Sequence, residues 1–223
     1  MTHSVSARFG AVLLDLDGCL IDSNDAHALA WSEALGQFGH RVPAARLRGE
    51  IGKGGRELMR DFVRPTELHF LGSAIAESQT RIYLRRFRRS VQPFPGAARA
   101  VRAMRRARLP VVIASSANRS TLQKALRLLR LSDVVTGFTS ADDVRNAKPF
   151  DDVFSVAIAR FRLAGRTPVA VGDSPYDVGA AHQIGLPCLA LRSGGFSRKV
   201  LGSADGCFAD LAALWREGRG LFR

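Results

Sequence analysis

No apolar run in this 223-residue sequence approaches the roughly 20 residues that a membrane-spanning helix needs. Residues 1–8 also carry no apolar segment of the kind found in signal peptides. These two absences argue against a membrane partner and lead us to expect a soluble, cytoplasmic protein. Hydrophobic residues make up 46% of the chain, which is typical of a globular protein with a sizeable core.

Cysteine is scarce, because only Cys19, Cys188 and Cys207 are present, far apart in the chain. None belongs to a Cys-x-x-Cys pair, so the sequence supports neither a disulfide framework nor a zinc site. A reactive thiol is one interpretation of Cys19, which closely follows two acidic residues. We expect the other interpretation, a small buried hydrophobic side chain.

Lysine is almost as scarce, since only four of the 33 basic residues are lysine and the rest are arginine. The formal net charge is +13, and such a balance often accompanies nucleic-acid binding. The sequence contains no nucleic-acid-binding motif, however, and its arginines are spread over helical segments. We therefore do not expect a nucleic-acid partner, but rather a positive field that attracts phosphorylated molecules.

One short stretch, Gly10 to Asp22, organises the chain. Its apolar residues 11–14 predict a strand buried on both faces, and Asp15 and Asp17 follow directly. Residues two apart in an extended chain point the same way, so both carboxylates face one cavity. Two like charges side by side need a cation or a proton, and a divalent metal would relieve them. An ordinary strand end with an Asp-Gly turn is the competing interpretation.

Downstream, apolar segments alternate with helical patterns, which predicts an α/β fold with a doubly wound parallel sheet. The predicted strands are 111–114, 134–136, 168–172, 188–191 and 206–208. Before them the pattern is helical over 25–39, 56–63 and 67–89, and Ser23 or Asn24 is the expected cap of the first helix. The predicted units are a core of residues 1–21 and 93–223 and a small α-helical cap domain of residues 22–92.

Further polar residues stand where predicted strands end. Ser115 and Ser116 follow one strand, Asp173 follows another, and Lys148 precedes a helix. The carboxyl ends of parallel strands meet at one edge of a sheet, so we expect these side chains to converge on Asp15. A turn residue for Ser115, a helix cap for Asp173 and a solvated lysine for Lys148 are the simpler interpretations.

Taken in chain order, the acidic, serine and lysine residues named above resemble the four motifs of the haloacid dehalogenase (HAD) superfamily of phosphohydrolases. The motifs are Asp15-Leu-Asp-Gly18, Ser115, Lys148-Pro149 and Gly172-Asp-Ser-Pro-Tyr-Asp177. The resemblance covers nearly the whole chain. The helical insertion after the first motif is similar to the cap of the phosphoglycolate phosphatase and β-phosphoglucomutase branch.

The resemblance implies catalysis through an aspartyl-phosphate intermediate. Asp15 would be the nucleophile, and Asp17 would protonate the leaving alcohol and then activate water. Ser115 would bind a phosphoryl oxygen, and Lys148 would balance the negative charge of Asp15 and the phosphoryl group.

The resemblance also implies a Mg²⁺ cofactor. Asp15, the backbone carbonyl of Asp17 and Asp173 would bind the metal, while Asp177 would support these ligands without touching the ion. Asp177 as a simple charge partner of a helix N-terminus is the competing interpretation. Cys19 departs from the pattern, because the superfamily usually has threonine there.

Substrate choice should come from the cap and from the residues beside the second motif. Five residues are assigned to substrate binding: Lys53, Arg56, His27, Ser116 and Asn118. The cap residues among them have simpler interpretations, as surface cations for Lys53 and Arg56 and a packed helix residue for His27. Trp31 is expected in the core of the cap.

The leading hypothesis is therefore a phosphatase that acts on a small phosphorylated metabolite, of the phosphoglycolate or sugar phosphate class. A phosphomutase of the β-phosphoglucomutase type is the alternative, favoured by the match at Arg56, His27 and Trp31. A non-catalytic protein that binds polyanions is a third hypothesis, favoured only by the positive charge. The sequence leaves open the substrate and whether the protein is a monomer or a dimer.

Overall fold

The computed structural model describes residues 8–223 and contains a six-stranded sheet in which every neighbouring pair of strands is parallel. The strands of the described residues are β1 (Ala11–Leu14), β2 (Ile21–Asp22), β3 (Gln92–Pro93), β4 (Val111–Ala114), β5 (Gly137–Thr139), β6 (Pro168–Gly172), β7 (Cys188–Leu191) and β8 (Gly206–Phe208). The order across the large sheet is β5-β4-β1-β6-β7-β8. β1 therefore lies inside the sheet, between β4 and β6.

Helices cover both faces of this sheet. The α-helices of the described residues are α1 (Asn24–Gln37), α2 (Ala44–Arg48), α3 (Gly55–Met59), α4 (Pro65–Ile82), α5 (Ala97–Arg106), α6 (Arg119–Leu128), α7 (Asp152–Arg160), α8 (Pro175–His182) and α9 (Leu211–Glu217). α5, α6 and α9 share one apolar cluster with Val12 and Leu14, while α7 and α8 share another with Ala11 and Leu13. Alternate residues of β1 thus face opposite helical layers, which explains its uninterrupted apolar sequence. The predicted α/β fold with a doubly wound parallel sheet is confirmed.

The short strands β2 and β3 mark the two ends of the helical insertion. They pair antiparallel, with Ile21 opposite Pro93 and Asp22 opposite Gln92. Helices α1 to α4 lie between them and share an apolar cluster of their own, built around Trp31. The predicted bounds of the cap, 22–92, and of the core, 1–21 with 93–223, stay a prediction, and residues 1–7 lie outside the described residues.

The structure shifts some predicted elements. The strand predicted at 134–136 lies at Gly137–Thr139, because Val134 and Val135 instead pack against the core cluster from the preceding turn. The predicted helix 56–63 ends at Met59. The long helix predicted to reach residue 89 is α-helical only to Ile82 and continues as a π-helix over Tyr83–Phe87. Helix α2 was not predicted, because five residues are too few to show helical periodicity.

Among the described residues, no helix combines the length and the apolar character that crossing a membrane requires.

Candidate active site

Asp15 is the first residue after β1, and its carboxylate is held by a buried lysine. Its backbone N–H donates to the carbonyl of Val171 at 2.8 Å, which continues the pairing of β1 with β6. Lys148 Nζ lies 2.8 Å from Asp15 Oδ1 and 2.7 Å from Asp177 Oδ1, and it donates to the carbonyl of Ala114 at 2.9 Å. The Lys148 side chain is fully buried, so its charge acts on these groups without screening by water.

The acids around this lysine carry more negative charge than it can balance. Burial raises the pKa of Asp15 to about 7, and the carboxylates of Asp177 and Asp17 add to the rise while Lys148 opposes it. Burial, followed by Asp177 and Asp15, also raises the pKa of Asp173 well above its usual range. Burial alone would lower the pKa of Lys148, but Asp15 and Asp177 raise it above its usual value. An additional cation would relieve this crowding.

Three side chains at the carboxyl end of β1 and β6 lie close enough together to share one metal ion. Ligand atoms of Asp15, Cys19 and Asp173 all lie within 4.8 Å of one another, and all three residues are buried. Asn24 Nδ2 donates to Asp173 Oδ2 at 2.9 Å, and its own buried Oδ1 has no hydrogen-bond partner within residues 8–223. The carboxylates fit Mg²⁺, which prefers oxygen ligands. Burial, followed by the charge of Asp173, raises the pKa of the Cys19 thiol well above its usual value, so the thiol stays neutral beside the carboxylates.

Gly18 lets the chain turn at this site. Its φ of +72° lies in the left-handed region, which favours glycine, and a Cβ there would lie 2.2 Å from Asp173 Oδ2. Hydrogen bonds fix the carboxylate of Asp177. Its Oδ2 accepts from the backbone N–H and the hydroxyl of Ser174 at 3.1 and 2.5 Å. Asp177 thus completes the cap that Ser174 forms at the start of α8, and it also pairs with Lys148. Its support of the metal ligands stays a prediction.

Asp17 faces the helical insertion. Its Oδ1 accepts a hydrogen bond from Ser23 Oγ at 2.5 Å and lies 3.3 Å from His27 Nε2. Burial would raise the pKa of Asp17, but His27 and Ser23 outweigh it and hold the pKa below its usual value. The Nδ1 atom of His27 lies 3.2 Å from the amide nitrogen of Gln79. Because an amide N–H₂ only donates, this contact assigns the imidazole proton to Nε2, which then donates to Asp17.

The second motif lies on the other side of β1. Ser115 follows β4, is buried, and accepts a hydrogen bond on its Oγ from the Ala117 N–H at 3.1 Å. Ser116 Oγ reaches the carbonyl of Gly52 in the insertion at 3.5 Å. Asn118 caps α6 by accepting from the Thr121 N–H at 2.9 Å. All three polar residues line the same cavity as Asp15 and Asp17.

The insertion covers this cavity, which has a volume of about 270 Å³. Its glycine-rich loop is bonded to the core, because the Gly54 N–H donates to the carbonyl of Lys148 at 2.8 Å. Trp31 and His27 line the cavity, and so do the predicted cap cations Lys53 and Arg56. The sheet and the insertion together therefore enclose the carboxylates.

The two cap cations have different surroundings. Lys53 Nζ lies 2.6 Å from both Glu50 and Asp61, and these carboxylates raise its pKa although burial opposes them. Arg56 takes part in no ion pair among residues 8–223 and is exposed on the cavity side of α3. Arg56 is therefore the cation with charge to spare for an anionic ligand.

Comparison with known proteins identifies the family. The model of the haloacid dehalogenase-like hydrolases matches residues 9–185. The chain belongs to this family of hydrolases. The predicted family and the predicted class of enzyme, a hydrolase, are thereby confirmed.

This HAD-like hydrolase is similar to named phosphatases over most of its length. It is 26% identical to validoxylamine A 7'-phosphate phosphatase of Streptomyces hygroscopicus subsp. limoneus, over 92% of the chain and 96% of the relative. It is 29% identical to phosphoglycolate phosphatase of Yersinia pestis, over 90% of each protein. Its fold matches the crystal structure of a hydrolase from Pseudomonas syringae with a TM-score of 0.88 and 24% identity, over 96% and 99% of the two chains.

Four residues around the HAD-like site were not predicted from the sequence to contribute to it. Ser23 occupies the predicted N-cap position of α1, but its side chain binds Asp17, and Asn24 binds Asp173. Gln79 binds His27, and the ring of Tyr83 stacks on the His27 ring at 4.1 Å. Ser23 and Asn24 come shortly after the first motif, and this position could have indicated that they contribute to the site. Gln79 and Tyr83 gave no such signal, because their role depends on where α4 packs.

Proposed function

We propose that this hydrolase is a Mg²⁺-dependent phosphatase of a small phosphorylated metabolite. The observation that carries the proposal is the pair of carboxylates after β1, which have different hydrogen-bond partners. Asp15 is held by Lys148, and Asp17 by a histidine of the insertion. Asp15, Asp173 and the backbone carbonyl of Asp17 would hold Mg²⁺. The bound ion would offset negative charge on the nucleophile and the phosphoryl group.

The reaction divides between the two acids. The Asp15 carboxylate attacks phosphorus, the bond to the ester oxygen breaks, and the departing alcohol takes a proton from Asp17. Asp17 must therefore be protonated when the substrate is bound, although in the free site burial is outweighed by His27 and Ser23, which lower its pKa. Asp17 then takes a proton from a water molecule, whose oxygen attacks the aspartyl-phosphate and releases inorganic phosphate. Lys148 stays protonated throughout and stabilises the negative charge, while Ser115 is placed to bind a phosphoryl oxygen.

The enclosed cavity and its free cation favour a small substrate with a second polar or anionic group. A volume of about 270 Å³ lies just below the usual range for ligand sites, which begins at roughly 300 Å³. We assign recognition of the second group to Arg56, with Ser116, Asn118 and His27 as further contacts. Lys53 is the weaker candidate, because two carboxylates already hold it. Phosphoglycolate and sugar phosphates meet this description, and two related proteins are named fructose-1-phosphate phosphatase and phosphoglycolate phosphatase.

A phosphomutase is the second candidate, favoured by the meeting of Arg56, His27 and Trp31 in one cavity. A mutase transfers the phosphoryl group from Asp15 back to the substrate, whereas a phosphatase transfers it to water. Membership in a hydrolase family makes the non-catalytic polyanion-binding hypothesis the weakest of the three. The oligomeric state and the cytoplasmic location stay predictions.

The deciding experiment is phosphate release from p-nitrophenyl phosphate with Mg²⁺ or with EDTA, for the wild type and for Asp15→Asn. We expect Mg²⁺-dependent release that the substitution abolishes. Turnover that survives in a folded Asp15→Asn variant would refute the proposal. With a hexose 1-phosphate, accumulation of the 6-phosphate without free phosphate would assign the mutase instead.

A further inference from the structure

A wider groove along α4 adjoins the active-site cavity. This groove has a volume of about 480 Å³, and Ala76, Thr80 and Asn118 line both it and the active-site cavity. Its other lining residues, which are Glu77, Arg81, Leu84 and Arg85, belong to α4 and to the π-helix that follows. Thr80 and Asn118, whose side chains are joined at 3.4 Å, therefore lie between the two spaces.

Two arginines give the groove its charge. Arg81 and Arg85 are four residues apart, so they lie on the same side of the helical segment. Neither takes part in an ion pair within residues 8–223, whereas the neighbouring Arg86 is paired with Glu33. Glu77 is the single acid of the lining, so the groove keeps an excess of positive charge.

We propose that this groove is a distal substrate subsite, which binds an acidic group at the far end of a long leaving group. The proposal rests on the proposed phosphatase function. It extends the substrate class to phosphomonoesters whose alcohol carries a carboxylate or a second phosphate several bonds beyond the ester oxygen. The phosphoryl end occupies the small cavity at Asp15, and the acidic end reaches Arg81 and Arg85 past Thr80.

Matched substrates test the proposal. We would measure kcat/KM for a series of ω-hydroxy acid phosphates of increasing chain length, each beside the alkyl phosphate of the same length. At the length that reaches the groove, we expect the terminal carboxylate to raise kcat/KM by about 1.5- to fivefold, as an exposed ion pair does. The double variant Arg81→Gln, Arg85→Gln should remove this advantage and leave hydrolysis of the alkyl phosphate unchanged. Both arginines are exposed, so the variant should fold normally.

A control separates local binding from the overall field of the protein. Arg99 and Arg127 are exposed and line neither the groove nor the cavity, so Arg99→Gln, Arg127→Gln removes the same charge elsewhere. This control should keep the preference for the acid. Equal loss in both double variants, or no preference at any length, would overturn the subsite while leaving the phosphatase intact. Failure to hydrolyse any phosphomonoester with Mg²⁺ would overturn the proposed function itself.

Discussion

The imidazole of His27 and the carboxylate of Asp17 meet at 3.3 Å across the boundary between the helical insertion and the sheet. His27 belongs to α1, whereas Asp17 follows β1. The contact is supported from behind, where Gln79 and Tyr83 hold the imidazole from α4 and the π-helix. The placement of the insertion therefore controls the orientation of the proposed acid.

Removing this support should impair proton transfer more than phosphoryl transfer. We expect Gln79→Leu and His27→Ala to lower kcat for an alkyl phosphate by about 10- to 100-fold, a part of what acid–base catalysis usually contributes. The loss should be much smaller for p-nitrophenyl phosphate, because its leaving group departs without a proton. Steady-state kinetics with both esters measure the difference. An equal loss with the two substrates would show that His27 acts on the fold and not on Asp17.

Metal binding should stabilise the protein, because it relieves repulsion among buried carboxylates. With Mg²⁺ at about 100 times its Kd, linkage gives about 2.7 kcal/mol, or a rise in thermal midpoint of roughly 5 to 10 °C for a chain of this size. Asp173→Asn should abolish the rise without lowering the midpoint of the metal-free protein. Cys19→Val should keep it, since the neutral thiol is not expected to bind Mg²⁺. Differential scanning calorimetry with and without Mg²⁺ provides the measurement, and a full rise in the Asp173 variant would contradict the assignment.

Lys148 should be among the costliest side chains to replace. Lys148→Met leaves the carboxylates of Asp15 and Asp177 buried without their counter-charge, and breaking a buried pair in this way costs about 3–5 kcal/mol. Urea unfolding measures the free energy of unfolding. Lys199→Met is the matched control on the exposed surface and should change it by less than about 0.5 kcal/mol. Similar small losses in both variants would mean that Lys148 does not neutralise these acids in the folded protein.

Asp143, which does not line the active-site cavity, should also make stability depend on pH. Burial would raise its pKa, but hydrogen bonds from Ser140 and Arg160 hold the pKa below its usual 3.8. A lowered pKa stabilises the folded state fully above the unfolded value, and this contribution is lost as pH falls through the lower, folded-state pKa. Asp143→Asn should therefore cost roughly 1–2 kcal/mol at neutral pH and progressively less below pH 3.8. Urea unfolding at several pH values tests this, and a cost independent of pH would refute it.

The positions of the motif residues followed from the sequence because each stands next to a recognisable strand or turn. Asp15, Ser115 and Asp173 directly follow three apolar runs, and the parallel arrangement of β1, β4 and β6 brings their ends together. Their predicted catalytic roles await measurement. The long-range partners did not follow. Asn24 binds Asp173 although 149 positions separate them, and no local pattern encodes such a contact.

By itself, the sequence determined the parallel sheet, the helical insertion and the set of acids, because hydrophobic periodicity and strand ends are local properties of the chain. Only the tertiary structure decided which of the charged side chains form ion pairs. Lys53 and Arg56 are only three residues apart, yet Glu50 and Asp61 hold Lys53, whereas Arg56 lines the cavity and takes part in no ion pair within residues 8–223. Side-chain direction and the packing of helices against each other set such pairings, and neither can be read from residue spacing.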